Sequence, residues 1–204
     1  MPQSLSLPNN LPVPQDDGGC AHLPGLRMPQ LALATTAGST VDFSSLAGRS
    51  VIFCYPKTGL PGKEPPAAWD EIPGARGCTP QNCGFRDEHA NLQRAGVKQL
   101  FGLSTQSSTY QQEAATRLQL PYLLVSDENL ALTHVLNLPT FDFEGESLIK
   151  RLTLIVDDGA ITHVLYPVFP PDKSAAQTLA WINQHPIIGQ SVPWSAASLA
   201  RPTG

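Results

Sequence analysis

Val51-Ile-Phe-Cys-Tyr55 is an apolar run rich in β-branched and aromatic residues, and Pro56-Lys57 closes it. With no polar alternation, it reads as a strand buried on both faces, at the centre of a parallel or mixed sheet. Cys54 inside it is read as a packed small hydrophobe. Working back along the chain, Leu31-Ala-Leu-Ala-Thr35 and Val41-Asp-Phe43 flank the turn Ala37-Gly-Ser-Thr40, which predicts an N-terminal β-hairpin. Working forward, Phe85, His89, Leu92 and Ala95 keep helical spacing from Thr79 to about Arg94, and Gly96 stops the helix. A strand follows at Val97–Leu103 and a helix at Ser107–Leu118. Tyr122–Val125 is the next strand, and Asp127-Glu-Asn129 caps a helix ending near Leu136. Leu152–Val156 and Ile161–Leu165 form a hairpin around Asp157-Asp-Gly-Ala160, and Pro171-Asp-Lys-Ser opens a last helix to about Gln184. The order β-β-β-α-β-α-β-α-β-β-α predicts an α/β fold, a mixed central β-sheet flanked by helices on both faces.

At 204 residues the chain holds one ordinary core with length to spare. Residues 1–22 are polar, contain Pro and Gly, and read as a flexible N-terminal arm in which Cys20 is an exposed, incidental thiol. Residues 23–185 are the domain. Within it, the Gly/Pro-rich stretch 58–77 is an insertion without regular structure, which Trp69 and Ile72 could pack as a flap. Residues 186–204 read as a C-terminal tail docked through Ile187, Ile188 and Trp194. A net charge of −4 and a pI near 5.7 leave no basic footprint for nucleic acid or an anionic membrane. Met1–Leu11 lacks the basic start and apolar centre of a secretory signal. A cytoplasmic protein is the expectation, and its four cysteines then point to redox or metal chemistry instead of a secreted disulfide framework.

The chemistry gathers in Pro73-Gly-Ala-Arg-Gly-Cys78-Thr-Pro-Gln-Asn-Cys83-Gly-Phe-Arg86-Asp87. Thr79 is a good N-cap and Pro80 fits the first helical position, so the helix starts at the cysteine. Its unpaired N–H groups, with Arg76 and Arg86 nearby, favour negative charge, and Cys78 reads as a nucleophilic thiolate. Cys78 and Cys83 could be a catalytic pair, metal ligands or structural residues. Zinc wants four ligands, usually in closely spaced pairs, and no second pair stands nearby. As a catalytic pair, two thiols five residues apart inside one intact helix cannot join, and the first turns must unwind. Were Thr79 the cap, the thiols would be neighbours in a hydrophobic staple and the cost smaller. The five histidines are scattered, and no phosphate-cradling loop occurs, so no cofactor is expected.

The runs Val51–Lys57, Gly77-Cys-Thr-Pro-Gln-Asn-Cys-Gly-Phe-Arg-Asp87, Leu103-Ser-Thr105, Leu124-Val-Ser-Asp127 and Arg151-Leu-Thr-Leu-Ile-Val-Asp-Asp-Gly159 closely resemble the peroxiredoxins. Within them they resemble the peroxiredoxin Q group, also called bacterioferritin comigratory proteins, over roughly residues 24–185. The resemblance implies a thioredoxin-like fold and a thiol peroxidase. Cys78 would attack hydrogen peroxide or an organic hydroperoxide, and Cys83 would resolve the sulfenic acid as an intramolecular disulfide. Thioredoxin or a similar reductant would recycle it. Arg151 would stabilise the thiolate and the departing oxygen, with Arg86 pairing with Asp87 or another carboxylate. Resolution inside one helix suits a monomer. The family usually has proline, three residues, threonine, two residues, then the cysteine. Here Ala75 stands in the threonine's place. Pro56 matches the proline, and Thr58 supplies the hydroxyl if the insertion loops out after it; otherwise backbone N–H groups of Gly77 and Cys78 donate alone. The alternative from another class is a non-enzymatic redox sensor or binding module built on the same pair. A thioredoxin-type oxidoreductase fits less well, since four residues separate the cysteines where such enzymes have two.

Overall fold

In a computed structural model that describes residues 7–8 and 10–187, nine strands and five helices follow one another in the described chain. They are β1 (Leu33–Thr35), β2 (Thr40–Val41), β3 (Arg49–Cys54), α1 (Ala67–Asp70), α2 (Cys78–Arg94), β4 (Val97–Ser104), α3 (Ser108–Arg117), β5 (Leu123–Ser126), α4 (Ala131–Leu136), β6 (Thr140–Phe143), β7 (Glu146–Ile149), β8 (Leu152–Asp157), β9 (Ala160–Leu165) and α5 (Ser174–Gln184). Seven strands form one sheet in the order β2-β1-β5-β4-β3-β8-β9, and β6-β7 make a separate hairpin. β3, β4 and β5 are parallel; β8, β9 and β1 join antiparallel, so the sheet is mixed.

β3, apolar from Val51 to Cys54, is buried at every position because both sheet faces are covered. Ile52 and Cys54 face one core, with Leu132 and Leu136 of α4, Phe43 and the N-terminal residues Cys20, Leu23 and Met28. Val51 and Phe53 face the other, with Phe85 and Leu92 of α2 and Ala175 and Ile182 of α5. The second core turns on a stack of Phe53 against Phe85, ring centroids 4.0 Å apart. Gly102 of β4 leaves room for it: a Cβ there would lie 2.6 Å from Leu124 and 2.8 Å from the Phe53 ring. Across β3–β8, Arg49 holds Asp157 through two bonds of 2.8 Å. Beyond that pair, the Trp181 ring is sandwiched between His163 at 4.3 Å and His185 at 4.1 Å.

Helix ends follow local chemistry. The Ser107 hydroxyl accepts from the Tyr110 N–H to cap α3. The Asp127 carboxylate accepts the Leu132 and Thr133 N–H groups at the head of α4. Three expectations change. Cys20 is not exposed but 5% accessible, because Asp16–His22 lies against the first core and an apolar thiol is more stable there. The adjoining Asp17 is tied to Lys150 at 2.6 Å and Tyr166 at 2.7 Å. The insertion carries a helical turn, α1, whose Trp69 packs with Phe141 and Phe143. Those two rings belong to β6, part of a hairpin that sequence reading passed over. Ile188 and Trp194, two of the expected tail contacts, lie outside the described residues.

Candidate active site

α2 begins at Cys78, but its N-cap is Gly77, not Thr79. Gly77 has φ of +102°, and a Cβ there would sit 2.4 Å from Pro171 Cγ, so only glycine fits. Cys78 is therefore the first helical residue. Pro80 moves to the third position, where its missing N–H still deletes no helix bond. The first helix bond runs from Gln81 N–H to the Gly77 carbonyl at 3.0 Å.

Two donors converge on the sulfur of Cys78, a residue 4% exposed. Arg151 Nη2 lies at 3.3 Å and the backbone N–H of Lys57 at 3.4 Å. As a thiol, Cys78 donates to the Ala75 carbonyl at 3.6 Å. Arg151, which immediately precedes β8, is almost wholly buried, and every arm of its guanidinium is occupied. Nε donates to the Gly74 carbonyl, Nη2 also to those of Ala75 and Arg76, and Nη1 to Gln81 Oε1. The arginine thus fixes the loop before Cys78 as well as the sulfur itself. Gln81 Nε2 passes the network on to Ser174 of α5 at 3.2 Å. The other two arginines are engaged elsewhere: Arg76 with Asp70 at 3.0 Å, and Arg86 with Asp87 at 2.8 Å and the Leu118 carbonyl at 3.0 Å.

Cys83 lies further along α2 and is buried. Burial pushes its thiol up, with the Arg86 charge opposing. All four cysteines are free. Both thiols stand inside regular helix, about 8.7 Å apart at Cα by helix geometry, beyond the roughly 7 Å a disulfide accepts. The staple arrangement is excluded with the Thr79 cap, and pairing requires the head of α2 to open. Holding it shut are Tyr122 Oη, which donates to the Asn82 carbonyl at 2.7 Å, and Asn82 Nδ2, which donates to the Cys78 carbonyl at 2.9 Å.

Thr58 is fully buried, and its hydroxyl proton goes to Gln106. Oγ1 and the backbone N–H both donate to Gln106 Oε1, at 3.1 and 2.9 Å. Gln106 Nε2 and Tyr110 Oη donate back to the Thr58 carbonyl at 3.2 and 3.0 Å. The insertion does loop out after Thr58. With Cys78, Tyr110 and Phe143 it encloses a cavity of about 430 Å³, walled by Leu60, Pro65 and Trp69. Gln81, Gln106 and Tyr110 escaped sequence reading. Gln81 could have been found three residues beyond Cys78 on the same helix face; Gln106 follows a strand end and carries no such signal. Among the described residues no three His, Cys, Asp or Glu side chains gather as a metal site.

The profile of the Redoxin family matches residues 23–179. Peroxiredoxin Q of Sedum lineare is 30% identical over 157 residues, which cover 76% of this chain and 75% of that one. Peroxiredoxin Q of Gentiana triflora is 28% identical over 186 residues, 88% of this chain and 77% of that one. The chain spans 64% of the length of the rice and wheat proteins of the same name. Among solved structures, peroxidoxin BcpB of Mycobacterium tuberculosis superimposes with a TM-score of 0.64 at 23% identity, covering 80% of this chain and 99% of that one, and shows the thioredoxin-like fold. The chain belongs to the Redoxin family and, within it, to the peroxiredoxin Q group of thiol peroxidases.

Proposed function

We propose that Cys78 is the peroxide-reducing nucleophile, Arg151 its electrostatic partner and Cys83 the resolving thiol. The observation that carries this reading is the convergence of Arg151 and the Lys57 N–H on a buried sulfur that lines the cavity beneath the insertion. The Cys78 thiolate attacks one peroxide oxygen; the S–O bond forms, the O–O bond breaks, and the other oxygen leaves as water or an alcohol after taking a proton. Sulfur is oxidised by two electrons and the peroxide reduced. Arg151 meets the negative charge as it passes from sulfur to the departing oxygen, and its position is prepaid by the carbonyls that hold it. Cys83 then attacks the sulfenic sulfur: an S–S bond forms, the S–O bond breaks and water departs. A reductant dithiol supplies the two electrons and two protons that restore the pair.

Hydrogen peroxide needs little of a 430 Å³ cavity. Leu60, Trp69 and Phe143 suit the apolar body of an organic hydroperoxide, so both classes are substrates. The reductant is thioredoxin or a similar dithiol protein. The working unit is residues 23–185, acting as a monomer in the cytoplasm without nucleic acid or membrane partners, in keeping with the acidic pI near 5.7.

Stopped-flow tryptophan fluorescence of the reduced protein mixed with hydrogen peroxide, followed by mass analysis of the peptide holding Cys78 and Cys83, tests the reading. A fast second-order phase ending in the loss of two hydrogens is expected. Cys78→Ser should abolish it, and Cys83→Ser should allow one oxidation and then accumulate sulfenic and over-oxidised forms. Oxidation no faster than that of a free thiol would favour a redox sensor instead.

A further inference from the structure

We infer that the backbone N–H of Lys57 is the second donor to the reacting sulfur, in the role left empty by Ala75, and that Gln106 is the positioning residue that holds it there. This rests on the reading of Cys78 as the peroxide-reducing thiol. Ala75 offers a methyl group, and its carbonyl is already taken by Arg151 at 3.1 Å. Thr58 does not restore the missing hydroxyl, because its proton is committed to Gln106 Oε1 at 3.1 Å. Of the backbone N–H groups, that of Lys57 is the one bonded to the sulfur itself, 3.4 Å from Sγ.

That peptide is pinned from both sides. Upstream, the Tyr55 N–H donates to the Leu103 carbonyl of β4 at 3.0 Å, and the Pro56 ring fixes its own φ. Downstream, Gln106 grips Thr58 at its N–H, its hydroxyl and its carbonyl together, and Tyr110 adds a second donor to that carbonyl. A donor and an acceptor are needed side by side, which a neutral amide supplies and a carboxylate or ammonium does not. Gln106 is itself placed by its N–H bond to Ser104 Oγ at 3.2 Å. Leu103, Ser104 and Gln106 all belong to β4 or its exit, so one strand sets both ends of the donor. A backbone N–H can only donate and has no rotamer to freeze. It is a fixed dipole aimed at charge on sulfur or on an oxygen bound there.

The test compares wild type with Gln106→Leu by stopped flow. Expected is a loss of about ten- to a hundredfold in the second-order oxidation constant, because the donor is loosened and not deleted. The slower first-order resolution phase stays within about twofold, since α2 and Cys83 are not in the Gln106 network; a general loss of structure would move both phases. Oxidation within twofold of wild type, or an equal fall in both phases, overturns the assignment. A second measurement does not depend on the variant folding. Amide hydrogen exchange of the reduced full chain should show Lys57 protected, and Cys78→Ala should abolish that protection because Sγ is the acceptor. Equal Lys57 exchange in the two proteins overturns the bond whatever Gln106→Leu does. A wild type that oxidises no faster than a free thiol would instead bring down the peroxidase reading, and this inference with it.

Discussion

Replacing Tyr122 by phenylalanine should make the Cys78–Cys83 disulfide form faster. Five residues of helix put the two Cα atoms about 8.7 Å apart, roughly 2 Å too far to be bridged, so the head of α2 must open before the second thiol can reach the first. Tyr122 Oη, donating to the Asn82 carbonyl at 2.7 Å, resists that opening at the residue directly before Cys83. A buried hydrogen bond of this kind is worth about 1 kcal/mol net. The opening equilibrium, and the resolution rate that depends on it, should therefore rise about fivefold. The phenyl ring keeps its edge contact with Phe53, centroids 5.6 Å apart, so the core is not hollowed. In stopped flow the second-order oxidation phase should be unchanged and the first-order phase faster. At high peroxide, less over-oxidised Cys78 should accumulate, because the sulfenic acid is captured sooner. A first-order phase that is unchanged or slower in a folded Tyr122→Phe protein would refute the idea that opening of α2 limits resolution.

Arg151→Lys should cut peroxide oxidation about a hundredfold: three ammonium donors cannot serve the sulfur, Gln81 and three loop carbonyls at once, and a rate within threefold would refute that role. Stability should fall as pH rises above about 9. Burial pushes Cys20 up to about 12 and Cys54 well above its ordinary value, so in that range the unfolded chain releases protons that the native chain keeps. The stabilisation is complete below the unfolded thiol value and is lost at up to about 1.4 kcal/mol per pH unit for each thiol. Urea midpoints at pH 7 and 10 should converge in Cys20→Ala relative to wild type, and equal slopes in both would contradict this. Gly102→Ala should cost about 1–3 kcal/mol by forcing Phe53 and Leu124 apart, read from chemical denaturation.

The strands of the central sheet and their succession along the chain were legible because β3, β4, β5 and β8 are short apolar runs between strong turn signals, and α2 carries its spacing and its Gly96 stop openly. The β6–β7 hairpin was missed although Thr140–Ile149 turns at Glu144-Gly145. Its partly exposed rings point at Trp69, and only the folded insertion gives them a reason to be a strand. Gly77 displaced Thr79 as cap through contact with Pro171, nearly a hundred residues later in the chain, which no local rule sees. Cys20 was judged by its polar neighbours, yet it belongs to the same core as Leu136, Leu138 and Ile149, more than a hundred residues later. At the site, the thiols were singled out by motif and spacing and Arg151 by the family resemblance. Gln106 was not, since its importance comes from what Thr58 can no longer do.

The sandwich of Trp181 between His163 and His185 gives the molecule a built-in acid-sensitive lamp. A protonated imidazole lying face to face on an indole drains its excited state, so acidification should dim Trp181. Burial and the His185 charge hold His163 below its ordinary value, so that ring takes up its proton late in the acid range. Trp69, on the wall of the Cys78 cavity, has no such neighbour among its ring contacts and should answer to oxidation of the site. Trp69 and Trp181 therefore carry two messages in one emission band, redox state from the insertion and acidity from the far end of α5, and Trp181→Phe would remove the second of them.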